Sequence, residues 1–217
     1  MLKVPTAIEV GAVIIGALSG AIHAVGRKAD AIGTFTIALA TGVGGGILRD
    51  VLIGDGAPLA LRVPLYLPAV AIVSLAALLF ANGLAQVTRA LVVIDALLIG
   101  FWTVMGAERA FTHALPATAA VFLGTVTATG GGVLRDLLSG ETPTLFRKGE
   151  LYVTAAFLAA LVYVALVRFV RAPLPIAELA TIGFGTSLRL LAMRWHLTAP
   201  EPFDLPGWWR RRRRTPQ

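Results

Sequence analysis

GGGILRDVLIG, residues 44–54, puts three consecutive glycines and an Arg-Asp pair into an otherwise apolar stretch. Glycine costs a helix roughly 1 kcal/mol per residue relative to alanine, so the stretch predicts a helix that bends or unwinds. It returns as GGGVLRDLLSG at 130–140, with eight of eleven positions identical. A shift of 86 residues relates the copies, and the register holds beyond them. Glu9 falls on Asp95, Gly20 on Gly106, Ala21 on Ala107, Ala24 on Ala110, and Leu65-Tyr66 on Leu151-Tyr152. The chain reads as one unit used twice.

The 217 residues are 57% hydrophobic and 14% charged, too few charges to cover a soluble globule of this size. Apolar runs recur near the roughly 20 residues a helix needs to cross a bilayer. Strand-like alternation is absent, which leaves helices to satisfy the backbone in lipid. Seven spans are predicted: Ala7 to Val25, Ala31 to Leu48, Leu65 to Leu84, Leu91 to Ala107, Pro116 to Leu134, Leu151 to Val170, and Ile176 to Trp195. Glu9 interrupts the first apolar segment and no clear cleavage region follows, so that span is expected to stay.

Three spans per half is an odd number, so the second half enters the membrane from the opposite side. The expected fold is an all-α membrane protein with a three-plus-three inverted-topology repeat and a seventh helix. Residues 1–90 form the first repeat, 91–172 the second, 173–198 the seventh helix, and 199–217 a basic cytoplasmic tail. Inverted repeats with interrupted helices in matching positions characterise proteins that move solutes, with the path at the repeat interface.

An outside N-terminus puts twelve Lys and Arg residues on the cytoplasmic side and six on the other, with Arg189 inside the last span. The multi-pass protein is therefore expected with its N-terminus outside and its C-terminus in the cytoplasm. Arg210 to Arg214, following Trp208 and Trp209, suit topology and anionic lipid better than nucleic acid. With no cysteine, disulfides and thiolate metal sites are excluded. His23, His113 and His196 have no second ligand at metal spacing.

Carbonyls freed at Gly44, Gly45, Gly46, Gly130, Gly131 and Gly132 can coordinate a dehydrated cation if they face a wet cavity. Close helix packing is the competing explanation for the same glycines. Thr34, Thr36 and Thr41 lead into the first motif and Thr125, Thr127 and Thr129 into the second; Thr41, Thr127 and Thr129 are the path candidates. Threonines also bond their own helix, so not all can line a pore. Arg49-Asp50 and Arg135-Asp136 need partners or water. They either snorkel to an interface or pair crosswise, Arg49 with Asp136 and Arg135 with Asp50. Among Glu9, Asp95 and Glu108, Asp95 lies deepest and is the carboxylate expected on the path.

Dinucleotide binding fails on the residues: GVGGGI from Gly42 has Ile47 where the third glycine belongs, with no strand before it. Ser19 and His23 share a helix face, but their repeat mates are Met105 and Arg109 and no orienting acid lies nearby in sequence. No enzymatic activity is expected.

The doubled GGG-x-L-R-D motif, the half-repeat length and the seventh helix resemble prokaryotic members of the trimeric intracellular cation (TRIC) channel family, whose domain is also labelled a putative glycine transporter. The resemblance spans roughly residues 5–197. It implies a homotrimer in a prokaryotic inner membrane, with an hourglass pore in each protomer, bent and gated at the glycines. The pore would pass potassium and, less well, sodium, with no cofactor beyond a permeant K+ or Na+ held in transit. The Arg-Asp pairs would shape and tether the bent helices. A secondary transporter of a small neutral amino acid such as glycine would use the same repeats, and a scaffold would use the glycines for packing alone.

Overall fold

The computed structural model describes residues 6–54, 56–80, 88–146 and 151–195. The basic segment 199–217 with Arg210 to Arg214, together with His196, Arg147 and Lys148, lies outside the described residues. The helices are α1 (Thr6–Gly26), α2 (Ala31–Ile53), the single turn α3 (Leu59–Arg62), α4 (Tyr66–Leu79), α5 (Thr88–Thr112), α6 (Ala117–Leu138), α7 (Tyr152–Ala165) and α8 (Leu174–Arg194). A 3-10 turn covers Thr144–Phe146, and a π-turn over Leu166–Val170 prolongs α7. Among the described residues, five helices are long and apolar enough to cross a membrane: α1, α2, α6, α7 with its π-turn, and α8. The chain is an all-helical membrane protein. α5 runs 25 residues, and α4 runs 14 and stops at Leu79. The remainder of the predicted third span, from Ala81 to Leu84, lies outside the described residues.

The ends of α2 follow from local chemistry. Asp30 caps its start, accepting from the Gly33 N–H at 2.7 Å. Gly54 closes it in the left-handed region, φ 75°, with its N–H donated to the Asp50 carbonyl. This helix is five residues longer at its C-terminal end than the Leu48 boundary predicts, and α6 is four longer than Leu134 predicts. Arg49-Asp50 and Arg135-Asp136 therefore lie within the last turns of helices.

The structure corrects the expected interruption. Both α2 and α6 remain α-helical through their three glycines, so those carbonyls stay in continuous helix and are not freed by unwinding. Packing compensates for the low propensity. A Cβ on Gly45 would collide with the Thr127 carbonyl oxygen, and one on Gly131 with the Thr41 carbonyl oxygen. On Gly44 and Gly130 it would come within 2.7 Å of Leu134 Cδ1 and 2.8 Å of Leu48 Cδ1. Gly45 and Gly131 let two backbones cross at a separation that a side chain there would not permit, while Gly44 and Gly130 make room for the two leucines.

α2 packs against α1, α4 and α6, and α6 against α5, α7 and α2, which puts their crossing at the centre. Matching alanines close the flanking contacts: Ala21 and Ala24 on α1 and their mates Ala107 and Ala110 on α5 are fully buried. α8 packs on α5 and α7.

Candidate functional site

A narrow chamber of about 60 Å³ lies beside this crossing. That volume accommodates a few waters at most. Its wall contains both members of several pairs separated by 86 residues: Glu9 and Asp95, Thr41 and Thr127, Gly45 and Gly131, Gly46 and Gly132, Arg49 and Arg135, Tyr66 and Tyr152. A wider cavity of about 450 Å³ adjoins it, lined by Ser19, His23, Asp136, Thr144, Arg189 and Met193 among others. Asp95, Gly132, Arg135 and Tyr152 line both spaces and form the neck between them.

Most residues singled out in the sequence meet at this chamber. Thr41, Gly45, Gly46 and Arg49 reach it from α2, Thr127, Gly131, Gly132 and Arg135 from α6, and Asp95 from α5. Asp136 lines the wider cavity. Gly44, Gly130, Thr129 and Asp50 line neither space, because the two glycines meet leucines and Thr129 is buried in the packing. Thr41 donates to the Ile37 carbonyl at 2.7 Å and Thr127 to the Leu123 carbonyl at 2.6 Å. With their protons used in this way, both hydroxyls keep only oxygen lone pairs to offer the chamber.

Both charged pairs correct the crossed arrangement, and the first also corrects the interfacial one. Arg49 is 2% exposed and Asp50 3%, which excludes interfacial snorkelling for that pair. Partners are local as well: Arg49 forks onto Asp50 Oδ1 from Nε and NH2, both at 2.8 Å. Arg135 does the same to Asp136 Oδ1, at 3.0 Å and 2.8 Å. An adjacent carboxylate already in place leaves the crossed arrangement no advantage. Each aspartate's second oxygen holds the returning chain. Asp50 Oδ2 accepts from the Leu59 N–H at 2.7 Å at the start of α3. Asp136 Oδ2 accepts from the Thr144 N–H at 2.8 Å and from its hydroxyl at 2.7 Å. The pairs thus pin each loop to its helix end while both guanidiniums face the chamber.

Three features were given no role by sequence reasoning. Tyr66 donates to Glu9 at 3.0 Å. The Arg189 guanidinium lies 5.1 Å from the centre of the Tyr152 ring. Glu141 on the loop after α6 takes His23 of α1, at 3.2 Å, and Arg27 just beyond it, clasping the end of α1 beside the wider cavity. The tyrosines were visible as repeat mates, and a lone arginine within an apolar span was itself a signal.

A protein-family model described as glycine transporter matches the chain twice, over residues 6–82 and 92–168. A solved TRIC cation channel is similar with a TM-score of 0.85 at 30% identity, covering 92% of this chain and 97% of that one. The chain belongs to the TRIC family. A TRIC orthologue from Rhodobacter sphaeroides gives a TM-score of 0.80 at 34% identity, over 88% of this chain and 97% of the other. The UPF0126 membrane protein of Deinococcus radiodurans is 36% identical over 145 residues, 66% of this chain and 67% of that protein. The inner membrane protein YadS of Escherichia coli K12 is 29% identical over 185 residues, 85% of this chain and 89% of the relative. These relatives and structural neighbours are described as membrane proteins or as TRIC channels rather than as enzymes. The two segments matched by the family model are the halves in which the doubled motif lies.

Proposed function

We propose that this TRIC-family chain is a passive channel for monovalent cations, passing potassium and, less well, sodium, with one path in each protomer of a homotrimer. The observation that carries this reading is the chamber at the α2–α6 crossing, lined by matched residues of both glycine motifs and joined through a neck to a wider cavity. Glu9 and Asp95 supply negative charge, and Arg49 and Arg135 are each neutralised by an adjacent aspartate. Thr41 and Thr127 oxygens replace part of the cation's water, and the missing side chains at Gly46 and Gly132 leave room for the rest. At about 60 Å³ the chamber is constricted, so conduction requires α2 and α6 to shift about their crossing. The glycines serve there as a close pivot rather than as unwound coordination sites.

In this reading seven spans form an inverted three-plus-three repeat with a seventh helix, the N-terminus lies outside, and the protein resides in a prokaryotic inner membrane. The Arg210–Arg214 segment meets anionic lipid. One observation favours a second reading, transport of a small neutral amino acid: the description carried by the matching family model. Purified protein in liposomes separates the two. Passive potassium flux that does not saturate and is indifferent to glycine supports the channel. Saturable glycine uptake with tracer exchange and no independent potassium flux supports the transporter.

A further inference from the structure

The two ends of the narrow chamber are built from matching residues, yet they are not electrically equivalent. At one end Tyr66 is tied to the Glu9 carboxylate at 3.0 Å, beside the closed Arg49–Asp50 pair. At the other, Tyr152 takes no carboxylate; its hydroxyl donates to the Ala128 carbonyl at 3.4 Å while the Arg189 guanidinium covers its ring. Arg189 is 8% exposed and lines the wider cavity together with Asp95 and Arg135. It comes from α8, which belongs to neither half of the 86-residue register, so the Glu9 end has no counterpart.

We propose that Arg189 is a specificity-determining residue of the path: it cancels the negative charge of Asp95 at the neck, holds Tyr152 across it by cation–π stacking, and so makes the channel rectify. At the Glu9 end a carboxylate faces the chamber beside a guanidinium already neutralised by Asp50, so that end is net negative and gathers cations. The neck, with two carboxylates and two guanidiniums, is net neutral. Fixed charge at one end raises the local cation concentration there, so potassium current entering from the Glu9 end exceeds current entering from the wider cavity. Stacking on an aromatic face is a guanidinium's preferred way to stay desolvated, and it fixes the ring it covers.

The inference rests on cation permeation as proposed above, and single-channel recording in symmetrical potassium chloride tests the two separately. Wild-type protein is expected to pass unequal unitary currents at opposite voltages. Arg189→Gln brings the ratio toward one, a change of roughly two- to fivefold, as a unit charge a few ångströms from a hydrated ion commands. Arg189→Lys keeps the charge and most of the ratio, and Tyr152→Phe keeps the ring and the ratio. Asp95→Asn leaves the neck net positive and steepens rectification, which carries the test if Arg189→Gln fails to fold. A wild type that conducts equally in both directions overturns the inference and leaves the channel reading intact. So does an Arg189→Gln protein that keeps the wild-type ratio. A wild type that passes no current overturns both.

Discussion

Replacing neighbouring glycines of one motif by alanine should give opposite results. At Gly45 the new methyl would occupy the space of the Thr127 carbonyl oxygen, a backbone atom of the facing helix that can yield only if α6 moves. Overpacking costs about 1–3 kcal/mol, at the upper end here because the obstructing atom is backbone, and alanine's better helix propensity offsets roughly 1 kcal/mol, leaving a net loss of about 1–2 kcal/mol. At Gly46 the nearest atom to the new methyl is an Arg49 guanidinium nitrogen at 3.9 Å, so nothing need shift and the propensity gain is realised in full. That methyl instead enters the wall of a chamber of about 60 Å³. The expected outcome is that Gly45→Ala lowers the melting temperature in detergent by several degrees, at about 2–4 °C per kcal/mol for a chain of this length. Gly46→Ala is expected to melt at or above the wild type while its potassium flux falls. Thermal unfolding and liposome flux measured on the same preparations decide it. If Gly45→Ala melts with the wild type, or Gly46→Ala loses stability with no loss of flux, the account of the crossing is wrong.

Other expectations follow from the charged contacts and the cavities. In a double-mutant cycle Arg49 should couple strongly to Asp50 and negligibly to Asp136. Removing Arg49 alone leaves a buried carboxylate without its partner, a loss of about 3–5 kcal/mol, and a crossed coupling above about 0.5 kcal/mol would contradict the observed pairing. Glu141→Gln should change stability by about 1 kcal/mol: the carboxylate is 10% exposed, but its Arg27 partner is 57% exposed and solvent screens the pair. A larger shift in melting temperature would show that the clasp on α1 bears more of the fold than its exposure implies. The chain has no native cysteine, so introduced thiols report cleanly. Ser19→Cys, on the wider cavity, should react with a membrane-impermeant thiol reagent, and Ile72→Cys, on an exposed apolar face, should not in bilayers. Equal rates at the two positions would mean that the cavity is not the aqueous route.

The central packing was readable in the sequence because it depends on residue size. Three glycines repeated at a fixed shift left two explanations open, an unwound helix and a close approach, and the helices do approach closely at Gly45 and Gly131. Continuity of those helices was not readable. Propensity measured in water counts the entropy and exposure that glycine suffers as an isolated helix, whereas Gly45 and Gly131 each sit against a facing carbonyl that replaces the missing side-chain contacts. Partner choice for Arg49 and Arg135 was also hidden, since symmetry permits crossed pairs and only the extended helix ends bring each guanidinium onto the next residue. Gly44 and Gly130 drop out of the chamber because successive residues turn by about 100° around a helix, so three in a row cannot all face one space. Arg189 carried its signal in the open, as a charge within an apolar span, but its target ring lies 37 residues away on another helix.

Recording purified protein in a planar bilayer under a potassium chloride gradient, beside Gly46→Leu as the obstructed control, tests the central claim most directly. The account predicts discrete unitary currents reversing near the potassium potential, reduced or abolished by leucine at 46 in protein that still folds. Reversal near the chloride potential, or no unitary current from wild-type protein that takes up labelled glycine saturably, would contradict it.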